Sequence, residues 1–308
     1  MIVRDRPGLL PLFFIMRGSI IPRILPQILV IFVMSCLITW GHHERPGMIL
    51  SVSGVPFAVL GTALSVFLSF RNNACYQRWW EARQSWGQLV YAARTFSRQT
   101  LLLEAIHGEE GRRMRRSLME LAIAMPQALV QHLRPNGDHG KVERVLPADL
   151  RPLYHAASNR PEMLMRLMST DLARMRAGDK LSDIQYQMLD ASVTQMAIVP
   201  AVCERIRNTP LPFAYTLLVH RTAYLFCFLM PFSSVDVLGW GTPFAAAVIA
   251  YTFFGLDALG DELENPFSKE ANALPIAALA DAIEHNLREA LGETDLPPLP
   301  KPRDFVLM

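Results

Sequence analysis

The chain has 308 residues, of which 51% are apolar (AVILMFWYC) and only 19% charged, and its mean hydropathy is +0.20. This excludes a disordered, collagen-like or disulfide-scaffold chain and argues that part of it is dissolved in something other than water. A net charge of +2, from 30 Lys and Arg against 28 Asp and Glu, is too small to imply a nucleic-acid partner.

Residues 1–23 begin with an apolar stretch, Leu9 to Met16, that is short, is followed by Arg17 and has no A-x-A site. It reads as an interfacial segment, not a cleaved signal. Two uncharged runs follow, Ile24 to His43 and Pro46 to Phe70. Two more come late in the chain. Pro212 to Phe232 carries the single charge Arg221, and Val237 to Leu256 carries none. At 1.5 Å per residue, about 20 helical residues cross a hydrocarbon layer of roughly 30 Å. All four runs are long enough to span.

Between them, residues 71–211 have a helical pattern. Apolar residues recur at helical spacing from Ala74 to Glu104. Gly108 and Gly111 are expected to break this helix, and the next, Arg112 to Arg134, to kink at Pro126. Pro135 to Asp138 reads as a turn. Helices are expected at Pro161–Ala177 and Leu181–Asn208, and no alternating strand pattern is present. Arg112, Arg113, Arg115 and Arg116 read as a solvated helix face, with anionic lipid as the alternative. The tail, Pro297 to Pro302, has polyproline character. Whether it is disordered or wraps a neighbouring subunit stays open.

The cysteines Cys36, Cys75, Cys203 and Cys227 have no CxxC spacing and read as free, buried thiols. Lys and Arg are dense before the first span, in the middle segment and in the tail. The loops around His42 to Arg45 and Ser233 to Asp236 hold one Arg between them. The positive-inside rule puts both termini and the long middle segment in the cytoplasm. The expected layout is an N-terminal segment (1–23), transmembrane helices one and two (24–70), a cytosolic helical region (71–211), transmembrane helices three and four (212–259) and a cytosolic C-terminal segment (260–308).

The second span has internal order. Gly61, Ser65 and Ser69 form a small-residue face that lets helices approach closely. One residue on, Thr62, Val66 and Phe70 stack at i+4 spacing over about 12 Å. Copies of this stripe around an axis would make three uncharged collars able to gate by dewetting. One helix per subunit cannot enclose a pore, so a conducting role requires a cyclic oligomer. The intramembrane pair His220-Arg221 is costly in lipid; it is expected to pair with a carboxylate such as Asp236 or Asp257. His42-His43 reads as exposed loop histidines. Asp257, Asp261 and Glu262 share a helix face and raise the possibility of a metal-dependent membrane enzyme. No histidine cluster, G-x-S-x-G, H-E-x-x-H or P-loop supports that.

From Phe70 to Leu89 the chain reads FRNNACYQRWWEARQSWGQL. Together with His132-Leu133-Arg134, Pro210 to Tyr215, His220-Arg221, Pro231-Phe232 and the motif Asn265-Pro266-Phe267, this resembles the bacterial branch of the bestrophin family. The resemblance implies an all-α membrane protein with four spans per subunit, assembled as a homopentamer around an axial pore. It also implies passive conduction of monovalent ions, with membrane lipid and further copies of the chain as the only partners. The family's pore neck falls on Thr62, Val66 and Phe70, and its cytosolic restriction on Ile184. Animal members carry an acidic calcium clasp after NPF. Here that stretch is Ser268 to Ala273 with only Glu270 acidic, so neither calcium gating nor any metal or cofactor is expected. Asp183, Asp257 and Asp261 would form acidic rings that attract ions, which favours Na+ and K+. The alternatives are an anion channel, or a non-channel membrane enzyme or scaffold.

Overall fold

The computed structural model describes residues 1–4, 7–12, 14–45, 47, 52–135 and 140–307. Asn136 to Asp138 of the expected turn, and the start of the second apolar run at Pro46 and residues 48–51, lie outside them. The described residues are mostly helical: α1 (Leu9–Leu12), α2 (Ile21–Glu44), α3 (Gly54–Gln99), α4 (Leu101–Leu133), α5 (Gly140–Val145), α6 (Arg151–Ala156), α7 (Arg160–Ala177), α8 (Asp183–Asn208), α9 (Phe213–Leu238), α10 (Thr242–Glu264) and α11 (Ile276–Ala290). Among these residues the only β pairings are isolated bridges at Ile2–Val306 and Arg303–Val306. The chain forms two compact units. Residues 4–79 and 210–266 make one; residues 1–3, 80–209 and 267–308 make the other. The 46 residues of α3 are a single helix, so the second apolar run continues unbroken into the RWWEAR segment, with no boundary at Phe70.

The first unit is built from α2, the first half of α3, α9 and α10. Three helical stretches, Ile21–Glu44, Gly54–Gln99 and Phe213–Glu264, are long and apolar enough to cross a membrane. The last is divided into α9 and α10 by a short 3-10 turn at Gly239–Gly241. The core is aliphatic and aromatic. Ile24 and Ile31 of α2 and Leu64 and Leu68 of α3 meet Ala223 and Phe226 of α9 and Ala250 and Phe254 of α10. Phe226 and Phe253 pack edge to face with centroids 5.1 Å apart. Of the small-residue face on α3, only Gly61 lies against a neighbour, the ring of Phe226. Ser65 and Ser69 are exposed, and the Ser65 hydroxyl donates back to the Gly61 carbonyl at 2.8 Å.

The second unit is centred on α4, whose run from Leu118 to Leu129 is almost wholly buried, except Glu120. α7, α8, α5 and α11 pack around it. The expected break falls at Gly108, where φ is +55° and ψ is −124°. That backbone is open to glycine and strained for other residues. Pro126 sits in the continuing helix, and Gly108 is the non-helical position within α4. α7 and α8 end where expected and start one residue before and two residues after their expected starts, and both starts carry caps. The Asn159 side chain accepts from the Glu162 amide at 3.2 Å. Ser182 and Gln185 form a reciprocal capping box at 3.3 and 2.9 Å. Arg205 of α8 donates to Glu81 of α3, within the RWWEAR segment. The tail is held. The Pro297 carbonyl is 2.7 Å from His285 Nδ1, and the Val3 and Leu307 amides donate to the Phe305 and Met1 carbonyls at 2.8 and 2.9 Å.

Candidate functional site

α3 has two contrasting faces within the first unit. Leu64, Leu68, Arg71 and Cys75 recur at three- and four-residue spacing and are buried. Thr62, Val66 and Phe70 occupy another face and are exposed, Val66 at 47% and Phe70 at 63%. An exposed phenylalanine and valine aligned at i+4 are costly in water and are not needed for this unit's own core. The Thr62 hydroxyl donates to the Ala58 carbonyl at 2.9 Å, so its proton is turned onto its own helix. In the second unit, Ile184 stands in the first turn of α8 and is 80% exposed. The capping box fixes the start of that turn and so its position. The neighbouring Asp183 carboxylate accepts from Arg176 Nε at 2.6 Å.

Sequence reasoning missed the electrostatic centre of the first unit, Arg71. Its side chain is fully shielded from solvent. Nη1 donates to Asp257 Oδ1 at 2.9 Å and to the Asp257 carbonyl at 3.1 Å. Nη2 donates to Asp261 Oδ1 at 2.5 Å and lies 3.7 Å from Glu264 Oε2. Asp257, Asp261 and Glu264 follow i, i+4, i+7 spacing, which lines three carboxylates along one face of α10. The guanidinium rests where α10 has no side chain: a Cβ on Gly260 would lie 2.8 Å from Arg71 Nη1 and 2.6 Å from Asn72 Oδ1. On the other side, Arg23 Nη2 donates to Asp261 Oδ2 at 2.9 Å, and His220 Nδ1 is 2.5 Å from Asp257 Oδ2. His220 in turn packs against Tyr224, the rings tilted by 42° with centroids 4.6 Å apart.

These contacts give each of the three acidic residues expected to attract ions a cationic partner: Asp257 pairs with Arg71, Asp261 with Arg71 and Arg23, and Asp183 with Arg176. His220 does take a carboxylate partner, Asp257. The other candidate, Asp236, is taken by His42 Nε2 at 3.0 Å, so His42 is not simply an exposed loop histidine. Arg221, beside His220, is exposed.

The Asn265-Pro266-Phe267 motif ends α10. Asn265 is exposed and Pro266 buried at the end of the first unit. The Glu264 carbonyl accepts from Arg78 Nε at 3.2 Å, and its carboxylate accepts from the Leu211 amide at 3.2 Å. Phe267 opens the C-terminal part of the second unit. Its ring is buried, and its carbonyl accepts from Arg134 Nε at 2.8 Å. The Arg in His132-Leu133-Arg134 therefore holds the segment that follows the NPF motif.

Residues 1–289 match the model of the bacterial/fungal bestrophin proteins. A voltage-dependent anion channel-forming protein of Mesorhizobium japonicum is 44% identical over 97% of this chain and 95% of its own length. One of the same description from Salmonella typhimurium is 38% identical, covering 96% of each. The crystal structure of a bacterial bestrophin homologue from Klebsiella pneumoniae superposes with a TM-score of 0.82 at 35% identity, covering 89% of this chain and all of that one. With the FRNN…RWWEAR run, the NPF motif and the helical fold in agreement, the chain belongs to the bacterial/fungal bestrophin family.

Proposed function

We propose that the chain is one subunit of a homopentameric channel that conducts ions passively across the bacterial inner membrane. Each subunit contributes four spans, α2, the first half of α3, α9 and α10, with both termini in the cytoplasm. The layout of segments 1–23, 24–70, 71–211, 212–259 and 260–308 is retained, with α3 continuing across the second boundary. Thr62, Val66 and Phe70 form the neck, where an ion sheds part of its water. Ile184 forms a second restriction on the cytosolic side. The observation that carries this reading is the exposed apolar stripe on α3, aligned opposite a face that already fills the core. A cyclic assembly supplies the partner faces that a single subunit lacks.

For the conducted ion, the reading moves to the anion alternative. Two observations support this. The relatives at 44% and 38% identity are described as anion channel-forming proteins. The carboxylates on which the cation reading relied, Asp257, Asp261 and Asp183, are each paired with an arginine. The test is current across a planar bilayer under a KCl gradient, wild type beside Val66→Ala. A reversal potential near the chloride value and a several-fold larger conductance in Val66→Ala are expected. A reversal near the potassium value would keep the channel and restore the cation reading. Absence of current from an intact oligomer would favour a non-conducting membrane scaffold.

A further inference from the structure

The first unit holds a groove of about 320 Å3 between α2 and α9, lined by Pro26, Gln27, Val30, Tyr224 and Phe228 and floored by the buried Phe254 of α10. Val30 is 53% and Phe228 38% exposed, so the slot opens outward between apolar walls. The Tyr224 and Phe254 rings pack with centroids 4.6 Å apart. All three helices belong to the stretches long and apolar enough to cross a membrane. In a bilayer such a slot meets hydrocarbon in place of water.

One end of the slot is charged. Arg23 stands four residues before Gln27 on α2, His220 four before Tyr224 on α9, and Asp257 three after Phe254 on α10. The carboxylates at this end are engaged. Asp257 pairs with Arg71 and His220, and Asp261 with Arg71 and Arg23. Glu264, at the end of α10, lies 3.7 Å from Arg71 and accepts from the Leu211 amide. Arg221 is left over. The pair His220-Arg221 was expected to take a carboxylate, and only His220 does. Arg221 is exposed, and no hydrogen bond or ion pair reaches it among the described residues.

Arg221, Tyr224 and Phe228 follow i, i+3, i+7 spacing, so Arg221 stands at the charged end of the groove's own α9 wall. It lies about 12 Å along α9 from Phe213, at 1.5 Å per residue. An unmatched guanidinium is costly at that depth, and its long stem can lift the charge towards the headgroups. An apolar slot with an unmatched cation one turn away on the same helix face fits a ligand with a hydrocarbon tail and an anionic head. The bilayer itself supplies that ligand. We propose that the groove binds a membrane phospholipid, with acyl chain against Val30, Phe228 and Phe254 and phosphate on Arg221. A guanidinium suits this role because its parallel N–H groups match two phosphate oxygens. The side chains of Arg23 and His220, 49% and 46% exposed, flank the headgroup. The proposal rests on the membrane reading of the first unit. Neither conduction, nor the ion conducted, nor the number of copies enters it.

The experiment adds dioleoyl phosphatidylglycerol, or dioleoylglycerol with the same tails and no phosphate, to the delipidated, detergent-solubilised protein. Native mass spectrometry reads the assembly and its bound lipid in one spectrum. Saturable binding of one phosphatidylglycerol per subunit is expected, with dioleoylglycerol weaker by about tenfold or more. Arg221→Gln should bring phosphatidylglycerol down to the level of dioleoylglycerol. Val30→Trp, which fills the slot, should weaken both lipids. Val248→Trp, on an exposed part of α10 outside the groove, should change nothing. Equal binding of the two lipids by the wild type would overturn the site. So would phosphatidylglycerol binding that survives both Arg221→Gln and Val30→Trp. A wild type that takes no lipid, beside a Val30→Trp variant that loses subunits, would show a second copy covering the groove and would overturn it too. A chain that stays in solution without detergent would fail at the membrane reading itself and take the site with it. Lipid binding as expected, without current across a planar bilayer, would sink the channel and leave this site standing.

Discussion

Arg71 sits one residue beyond an uncharged run and is sealed from solvent, so the protein itself has to meet its charge. It does so across 186 residues of chain, with Asp257. Removing one member of a buried ion pair leaves the other uncompensated and costs about 3–5 kcal/mol. Arg71→Met should therefore lower the melting temperature of the detergent-solubilised protein far more than Arg23→Met, whose pair with Asp261 is half exposed. Gly260→Ala should act in the same direction, because its methyl group would occupy the place of the guanidinium. A melting temperature unchanged in both Arg71→Met and Gly260→Ala would show that the cluster is dispensable. Part of this cluster was legible. The shared face of Asp257 and Asp261 on α10 and the expectation that His220 pairs with a carboxylate came from spacing and membrane cost alone, whereas the third member proved to be Glu264 and not Glu262. What spacing could not supply was the cation at the centre. A charge directly after an apolar run reads as an interfacial end unless the packing of another helix brings carboxylates to it. Asp257 and Asp261 were for that reason read without their arginine partner.

At the scale of elements, local chemistry was the better guide. The starts of α7 and α8 were legible to within one and two residues, and the caps that set them, Asn159 and Ser182-x-x-Gln185, act within four residues of chain. The break at Gly108 was readable for the same reason. The observed φ of +55° paired with ψ of −124° is a conformation that costs a side chain about 1–3 kcal/mol. Gly108→Ala should lower the midpoint of chemical denaturation accordingly, while an alanine at exposed Glu109, one residue on, should leave it nearly unchanged. Equal effects would mean that the kink carries no strain. Other features needed tertiary knowledge. Pro126 stays within α4, as the expected helix Arg112–Arg134 has it, because a buried helix can give up one hydrogen bond when its neighbours hold it. The expected end of the second span at Phe70 has no counterpart in the backbone, because α3 continues into a wetter sequence as one helix. The small-residue face was right at Gly61, where Phe226 approaches, and not at Ser65 and Ser69, which this subunit leaves uncovered.

At the scale of the whole molecule, the surfaces that a single chain leaves open are the informative ones. Val66, Phe70 and Ile184 are exposed although each sits in a firmly held helix, and burying apolar area of this kind is worth roughly 25 cal/mol per Å2. The family resemblance attached a number to that deficit, five, and periodicity alone could not. Counting copies is therefore the sharpest test of the assembly. Five chains of 34.7 kDa give about 174 kDa for a closed ring, and an odd ring has a consequence that an even one lacks. If Ile184 side chains close on the axis, an Ile184→Cys substitution brings neighbouring thiols within disulfide reach, where Cα atoms are under about 7 Å apart. Each cysteine can bond only one neighbour, so in a five-membered ring one subunit always remains unpaired. Oxidation should then convert at most about four-fifths of the chains to dimers on a denaturing gel, however long it proceeds. The native cysteines do not confuse the count, since Cys75, Cys203 and Cys227 are buried and Cys36 is partly so. Complete conversion to dimers would mean an even ring, and no dimers in an oligomer of the right mass would place Ile184 away from the axis.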